Sequence, residues 1–455
     1  MTDHLPLSSP TGGPPVEPGQ HVGRSLASRA FVYVFLFGLY TGIDLRVGGA
    51  VLVPYVVCGL AGSYFLIWFL PRIRTADILL FAGLFAITLL TVFLSPQPRT
   101  FLVERLKGFA QLVYSVTVSF AVFSHLRSTW TRSALARLFG WCAVIIIVGT
   151  ALETYGGLQP VSDAFRKLVF DPSFLYFANR RDLRVFGQIR PKFFTKEPAH
   201  VALFFLLSAF VWYAMSDHPQ RRWRFVAAVG TAFFFVRSPI ILIAIPLAIL
   251  IEVFLRPKLG GGTLHTSPAR FGAFFVVAIA GLVLAFQTIL RSRLELVLSG
   301  GELSTLVRIV VPALLSVYVI QHYPLVGAGI TGKEFIVGDL SKVFRGFGFL
   351  IHDPNAMVSA PFLFLIYYGL GAGLMMILVL VGIARRNGTT HLPFVLPAVV
   401  GLTIGSGAFV GMRVWFFGFA ALLVANRTFL PTAGSQHDRL YSPHVSHNTD
   451  YGATL

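Results

Sequence analysis

Residues 198–215 have the sequence PAHVALFFLLSAFVWYAM, which contains no Asp, Glu, Lys or Arg. A helix of this composition is long enough to cross the hydrocarbon core of a bilayer, which requires about 17–25 apolar residues. Similar runs recur along the chain, and they predict an all-α, polytopic integral membrane protein of about twelve transmembrane helices. The runs lie at 27–43, 49–70, 76–94, 107–124, 134–152, 198–215, 223–236, 238–255, 271–290, 358–383, 393–411 and 414–430.

The composition agrees with a membrane protein and excludes the soluble classes. Of the 455 residues, 55% are hydrophobic, 12% are charged and 44 are Phe, and the mean hydropathy is +0.74. A soluble domain carries about 25% charged residues. The two cysteines, Cys58 and Cys142, both lie in apolar runs. This placement excludes a disulfide scaffold and a cysteine-based metal site.

The number of helices and the ends of the membrane domain are less sharply defined. The runs 223–236 and 238–255 are short and meet at Arg237-Ser238-Pro239, so eleven or thirteen helices would also fit. Residues 1–26 and 431–455 are polar and cannot bury a core, and we expect both to be disordered tails. We expect no signal-peptide cleavage after the first run. The membrane domain is therefore predicted to occupy 27–430.

The basic residues predict the orientation. The chain has 37 Lys and Arg against 19 Asp and Glu, a net charge of +18. Apart from two long connections, 153–197 and 291–357, the Lys and Arg are concentrated on the side of the bundle that carries both termini. The positive-inside rule applies to short connections, so both termini are predicted to be cytoplasmic and both long loops periplasmic. Bases that lie between apolar runs favour phospholipid or an anionic lipid-linked substrate over nucleic acid.

The loop 153–197 holds the densest cluster of charge. It carries eight bases against five acids, and most of the bases fall near its end. Guanidinium groups offer paired donors to phosphate oxygens, so the cluster suits a diphosphate joined to a lipid. Ion pairs within the loop, or contacts with lipid headgroups, would explain it as well. The eight bases are Arg166, Lys167, Arg180, Arg181, Arg184, Arg190, Lys192 and Lys196.

The acid that follows this cluster is Glu197, in the passage Lys196-Glu197-Pro198-Ala199-His200. Pro198 suits the first turn of a helix, and an acid suits its positive end. The same acid lies one turn from His200 and beside several bases. Glu197 is therefore a candidate general base, a ligand for a sugar hydroxyl, or a helix cap.

Four passages share a pattern with known membrane enzymes. In the first, Arg190 precedes Glu197-Pro198 by seven residues, and Arg184 competes for the role of that arginine. In the second, Val236-Arg237-Ser238 forms a short turn between two short apolar runs.

The third passage runs from Arg308 through an apolar stretch to Pro324-Leu-Val-Gly327-Ala-Gly329. In the fourth, His352-Asp353-Pro354-Asn355 lies upstream of Gly369. Together the four passages resemble those of the bacterial O-antigen polymerase and O-antigen ligase superfamily. In that family the histidine pair stands closer to the glycine than His352 stands to Gly369.

The resemblance implies a glycosyltransferase of the multi-helix, lipid-donor type in the bacterial inner membrane, with its site on the periplasmic face. Its reaction would transfer a glycan from undecaprenyl diphosphate to a hydroxyl of another lipid-linked repeat unit. A polymerase of O-antigen or exopolysaccharide is favoured, and a ligase acting on lipid A core is the alternative. The implied catalytic residues are Glu197, His352 and Arg237. The implied diphosphate-binding residues are Arg184, Arg190, Lys192, Lys196, Arg237 and Arg308.

The implied partners are the lipid-linked donor and acceptor, membrane lipids, and a chain-length regulator or flippase of the same pathway. We expect no cofactor and no metal, because acids are sparse and only Glu334, Asp339 and Asp353 could converge. A transporter or flippase for an anionic lipid-linked glycan is the alternative from another class. Transporters carry ionisable residues at mid-membrane, whereas here they gather at the ends of the runs.

Overall fold

The computed structural model describes residues 18–47, 50–69, 75–171, 175–176, 180, 182–183, 188–255, 306–332, 334–348, 357–389 and 391–429. The predicted run 271–290 lies outside these residues. Within them the chain is almost entirely helical. The α-helices are α1 Pro18–Thr41, α2 Val56–Phe69, α3 Thr75–Leu94, α4 Leu102–Thr129, α5 Arg132–Tyr155, α6 Gln159–Val169, α7 Pro198–Met215, α8 Arg221–Val236, α9 Ala244–Phe254, α10 Val311–His322, α11 Val337–Gly346, α12 Ala360–Tyr368, α13 Gly371–Arg386, α14 Leu392–Thr403 and α15 Met412–Val424.

Four of the described helices are long and apolar enough to cross a membrane, namely α3, α4, α5 and α7. Shorter apolar helices accompany them. The all-helical prediction is thus confirmed for the described residues, with four candidate membrane spans, whereas the full set of twelve spans stays a prediction. The shorter apolar segments are Leu26–Thr41, Val56–Trp68, Pro239–Phe254, Leu306–His322, Leu392–Thr403 and Met412–Val424.

Helix α7 forms the centre of the bundle. In its apolar window 89% of the residues are buried, against 33% in α3 and 39% in α5. It packs against α5, α8, α9, α14 and α15. A helix that is apolar on every face needs protein neighbours on every face, which explains why α7 lies inside while α3 and α5 turn one side outward.

Polar contacts define two ends of the bundle. The loop end, where α1 and α5 finish and α7 and α15 begin, is held by the ion pair of Lys196 with Asp44 and by Arg413, which donates to the carbonyl oxygen of Leu39. At the opposite end, Arg132 donates to the carbonyl of Met215. The start of α1 and the finish of α15 therefore lie at the same end, as the predicted orientation requires.

Two boundaries differ from the sequence prediction. Helix α1 begins at Pro18, so residues 18–26, predicted as part of a tail, are helical. The run 49–70 does not begin as helix, because 45–47 and 50–53 form a two-stranded antiparallel hairpin. Pro54 follows the second strand and disfavours helical dihedrals in the residue before it, so α2 begins only at Val56.

The described part of the predicted loop 291–357 is largely helical. A π-helical turn at Leu306–Val310 leads into α10, and α11 follows. Helix α10 is apolar and packs along α12.

The predicted run 358–383 is broken in two at Gly369, which has φ +61° and ψ −156°. The segment 324–329 bonds to both sides of the break: the carbonyl of Pro324 accepts from Leu370, at 2.7 Å, and the amide of Ala328 donates to Ile366, at 2.8 Å. A buried break in a helix persists only where its freed backbone groups find such partners.

We expect the substitution Gly369→Ala to destabilise the protein by about 1–3 kcal/mol, because only glycine tolerates these dihedrals. An added Cβ would also lie 2.7 Å from the carbonyl oxygen of Pro324. The measurement is thermal unfolding of the purified protein in detergent. Gly230→Ala in α8 is the control, since nothing lies within 4 Å of its added Cβ. Equal unfolding temperatures for the two variants would contradict this account of the break.

Candidate active site at the loop end

The segment that enters α7 is held by a buried carboxylate. Glu153, in the last turn of α5, is 5% exposed, and it accepts the backbone amides of Lys192, at 3.1 Å, and Phe193. Phe193 and Phe194 both have positive φ, a backbone conformation that residues other than glycine rarely adopt. The hydroxyl of Tyr40 donates to the carbonyl of Phe193, at 2.6 Å. These contacts stabilise an otherwise unfavourable turn directly before the site.

Arg166 holds the same segment from the side of α6. It is 2% exposed and donates to the carbonyls of Thr195, at 2.8 Å, and Lys196, at 3.1 Å, while it pairs with Asp163 at 2.6 Å. Its donors are therefore used within the protein. Of the eight bases in this loop, Arg166 serves to position the backbone.

Arg190 and Lys192 belong to a network of charged and polar side chains that precedes the turn. Arg190 pairs with the buried Asp182 at 2.9 Å, and its guanidinium also donates to the hydroxyl of Tyr176, at 2.9 Å. Burial, together with the charge of Arg166, lowers the pKa of Lys192. Both residues were predicted to bind diphosphate. The structure places them in a network that includes acids of their own loop.

Lys196 links the segment to the end of α1. Its ammonium group pairs with Asp44 and lies 5.4 Å from the centre of the Phe170 ring. The lysine is 17% exposed and the aspartate 11%. The pair lies at the entrance to α7, where Lys196 faces the first turn of that helix.

Glu197 occupies the N-cap position of α7 but does not cap it, because its side chain accepts no hydrogen bond from the helix. Its Oε1 instead lies 3.3 Å from Nε2 of His200. Glu197 is 36% exposed and His200 20% exposed, so the carboxylate stands outside and the imidazole inside. Of the roles considered for Glu197, the capping role is the one that this geometry disfavours.

His200 presents a free ring nitrogen to the interior. Its Nδ1 is buried and makes no hydrogen bond to any described residue. If Nε2 carries the proton and donates to Glu197, Nδ1 has a lone pair that can accept a proton from a hydroxyl. This tautomer is assigned from the hydrogen-bond pattern. A carboxylate that orients a histidine is the arrangement used by general bases.

Three cations lie near enough to His200 to act on it electrostatically, namely Arg413, Lys196 and Arg308. Arg413 is 2% exposed, and its partners are the carbonyls of Leu39, at 2.9 Å, and Tyr40, at 3.2 Å.

Two acids lie among these cations. Asp44 pairs with Lys196, and Glu197 lies against His200. Arg413 lies over the ring of Tyr55 at 5.7 Å, and burial raises the pKa of that phenol, which keeps the ring neutral. Guanidinium and ammonium groups of this kind can donate to the oxygens of an anionic group.

The remaining predicted residues stand apart from this cluster or lie outside the described residues. Arg237 ends α8 in the left-handed conformation, with φ +51°, and stacks on Phe234 at 5.9 Å. It lies at the loop end, because the neighbouring Phe235 contacts Tyr155. Arg184 and His352 lie outside the described residues.

The structure thus brings together Lys196, Glu197 and Arg308 among the predicted residues, and it adds His200 and Arg413. The spacing of Glu197 and His200, one turn apart at a helix start, is a signal present in the sequence. Arg413 lies far along the chain from these residues, and no local pattern in the sequence distinguishes it. In the described part of the chain, no three His, Cys, Asp or Glu side chains are arranged to hold a metal ion.

Comparison of the chain with protein-family models, with curated proteins and with solved structures finds no match. The function must therefore be inferred from the site itself.

We expect Glu153→Gln to lower the free energy of unfolding by about 1–3 kcal/mol, because an amide group offers one acceptor where two backbone amides need one each. The segment around Phe193 should also become more sensitive to limited proteolysis. Unfolding temperature and cleavage rate in detergent are the measurements. Glu334→Gln, at an exposed acid in another segment, is the control. The same stability and cleavage rate in both variants would show that Glu153 does not hold the turn.

Proposed function

We propose that this chain is a membrane-embedded glycosyltransferase that uses a glycan linked to undecaprenyl diphosphate, most simply a polysaccharide polymerase. The observation that supports it is the group of three cations, Lys196, Arg308 and Arg413, around the Glu197–His200 pair at the loop end. The donors of these cations suit the oxygens of a diphosphate, and a carboxylate paired with a histidine suits the removal of a proton from a hydroxyl.

The proposed chemistry follows from these two features. A hydroxyl of the acceptor glycan donates its proton to the Glu197–His200 pair and attacks the anomeric carbon of the donor. The bond between that carbon and the diphosphate oxygen breaks, and the diphosphate leaves with the bonding electrons. Arg308 and Arg413 stabilise the charge that develops on the diphosphate, and Glu197 stabilises the imidazolium.

The position of the cluster fits a substrate with a lipid tail. The cluster lies at the end of apolar helices, and only 33% and 39% of the apolar windows of α3 and α5 are buried. A polyprenyl chain would lie along such a surface while its diphosphate reaches the cations. Under this proposal the loop end is periplasmic, both termini are cytoplasmic, and the protein resides in the inner membrane with about twelve spans.

The sibling reaction, transfer of a finished chain to lipid A core, would use the same groups with a different acceptor. A flippase would also need a cationic site, but it would not need an oriented base. The Glu197–His200 pair is therefore the feature that favours transfer chemistry over transport.

We expect Glu197→Gln to retain binding of the lipid-diphosphate donor but to lose turnover by about 10²–10⁴, the usual contribution of a positioned base. His200→Gln should lose turnover to a similar extent. The assay uses purified protein in liposomes without any gradient, supplied with lipid-linked oligosaccharide, and follows the growth of glycan chains. Donor binding is measured separately.

Glu104→Gln is the control, because Glu104 is an exposed acid in the first turn of a helix at the same end. It should retain full turnover. Movement of the lipid across the bilayer without chain growth would contradict the enzymatic proposal. Normal turnover in both Glu197→Gln and His200→Gln would remove this pair from the mechanism.

A further inference from the structure

A second basic cavity lies at the opposite end of the bundle, far from the site described above. It has a volume of about 590 Å³ and opens between the finish of α2, the start of α3 and the ends of α4, α13 and α15. Its lining includes Phe65, Trp68, Ser124, His125, Arg386 and Arg427.

The charge of the cavity is positive. Three arginines and one aspartate line it. Arg386 pairs with that acid, Asp77, at 3.0 Å. Arg127 donates to the amide oxygen of Asn387 at 2.6 Å. Arg427 is exposed, and its side chain forms no hydrogen bond or ion pair with any described residue.

A buried hydroxyl provides independent evidence for a ligand. Ser124 lines the cavity, is 2% exposed, and its Oγ has no hydrogen-bond partner among the described residues. A buried polar group without a partner costs about 1–3 kcal/mol, so such groups are uncommon unless something else satisfies them. The hydroxyl can donate to a phosphate oxygen that the arginines attract.

The surroundings indicate that this phosphate belongs to a lipid. Trp68, in the last turn of α2, lines the cavity and is 44% exposed, and the same turn exposes 69% of Ile67. Acyl chains would cover these side chains while the headgroup enters the cavity. Tryptophan is enriched at this level of the bilayer. A soluble phosphate has no apolar part that could contact these exposed side chains.

We propose that this cavity binds the phosphate headgroup of an anionic phospholipid, with Arg427 and Ser124 as its ligands and the acyl chains on Trp68 and Ile67. Basic pockets between membrane helices are a known means of holding anionic headgroups. The proposal does not depend on the reaction at the loop end.

The test measures binding of phosphatidylglycerol and phosphatidylcholine to the purified full-length protein in detergent, by native mass spectrometry and by thermal stabilisation. We expect phosphatidylglycerol to bind about tenfold more tightly or better, and Arg427→Gln to remove about tenfold, the scale of one charge-assisted hydrogen bond. Ser124→Ala should weaken lipid binding severalfold. It should leave the lipid-free protein as stable as before, because the hydroxyl has no partner to lose.

Arg224→Gln is the matched control, because Arg224 is an exposed arginine at the start of α8, at the same end, and does not line the cavity. It should bind phosphatidylglycerol as the unaltered protein does. Equal binding of the two lipids, or equal losses in Arg427→Gln and Arg224→Gln, would overturn the proposal. Glycerol 3-phosphate or inorganic phosphate that stabilises the protein as much as phosphatidylglycerol would overturn the assignment to a lipid.

Discussion

A guanidinium that leaves water must recover its hydrogen bonds inside the protein, and Arg413 recovers them from the last carbonyls of α1. These carbonyls carry the negative end of the helix dipole, so they stabilise a buried cation without neutralising it. The contact joins the first described helix to the last. Because Tyr40, at the same helix end, also holds the carbonyl of Phe193, the position of Arg413 and the turn before α7 are set together. The cations around His200 depend on this junction.

The bases of the loop end divide into two groups by their partners. Arg166 and Arg190 are paired with acids of their own loop and hold backbone or side chains in place. Arg413 is bonded to neutral carbonyls, so its charge is not cancelled by an acid. A count of charges along the sequence cannot separate these groups. The separation rests on which acids fold back onto the loop, and it moves the centre of the site from Arg190 to the first turn of α7.

The helices could be predicted from local signals in the sequence, whereas features that depend on contacts between distant residues could not. Continuous apolar runs predicted the helices, and the Arg237-Ser238-Pro239 break appears in the structure as a helix end followed by a 3₁₀ turn. The break at Gly369 was missed, since hydropathy continues through it and the bonds that stabilise it come from 324–329. For the site, the spacing of Glu197 and His200 was visible. The contact of Arg413 with Leu39 spans 374 residues, and no local pattern reveals it.

Binding of a lipid diphosphate by the cations beside His200 is tested most directly by the equilibrium binding of a long-chain isoprenyl diphosphate and the matching monophosphate to the purified protein. We expect the diphosphate to bind about tenfold more tightly or better. Arg308→Gln should lose most of this difference, while Arg224→Gln should keep it. Equal affinity for the two lipids, or the same preference in Arg308→Gln as in the unaltered protein, would contradict this account.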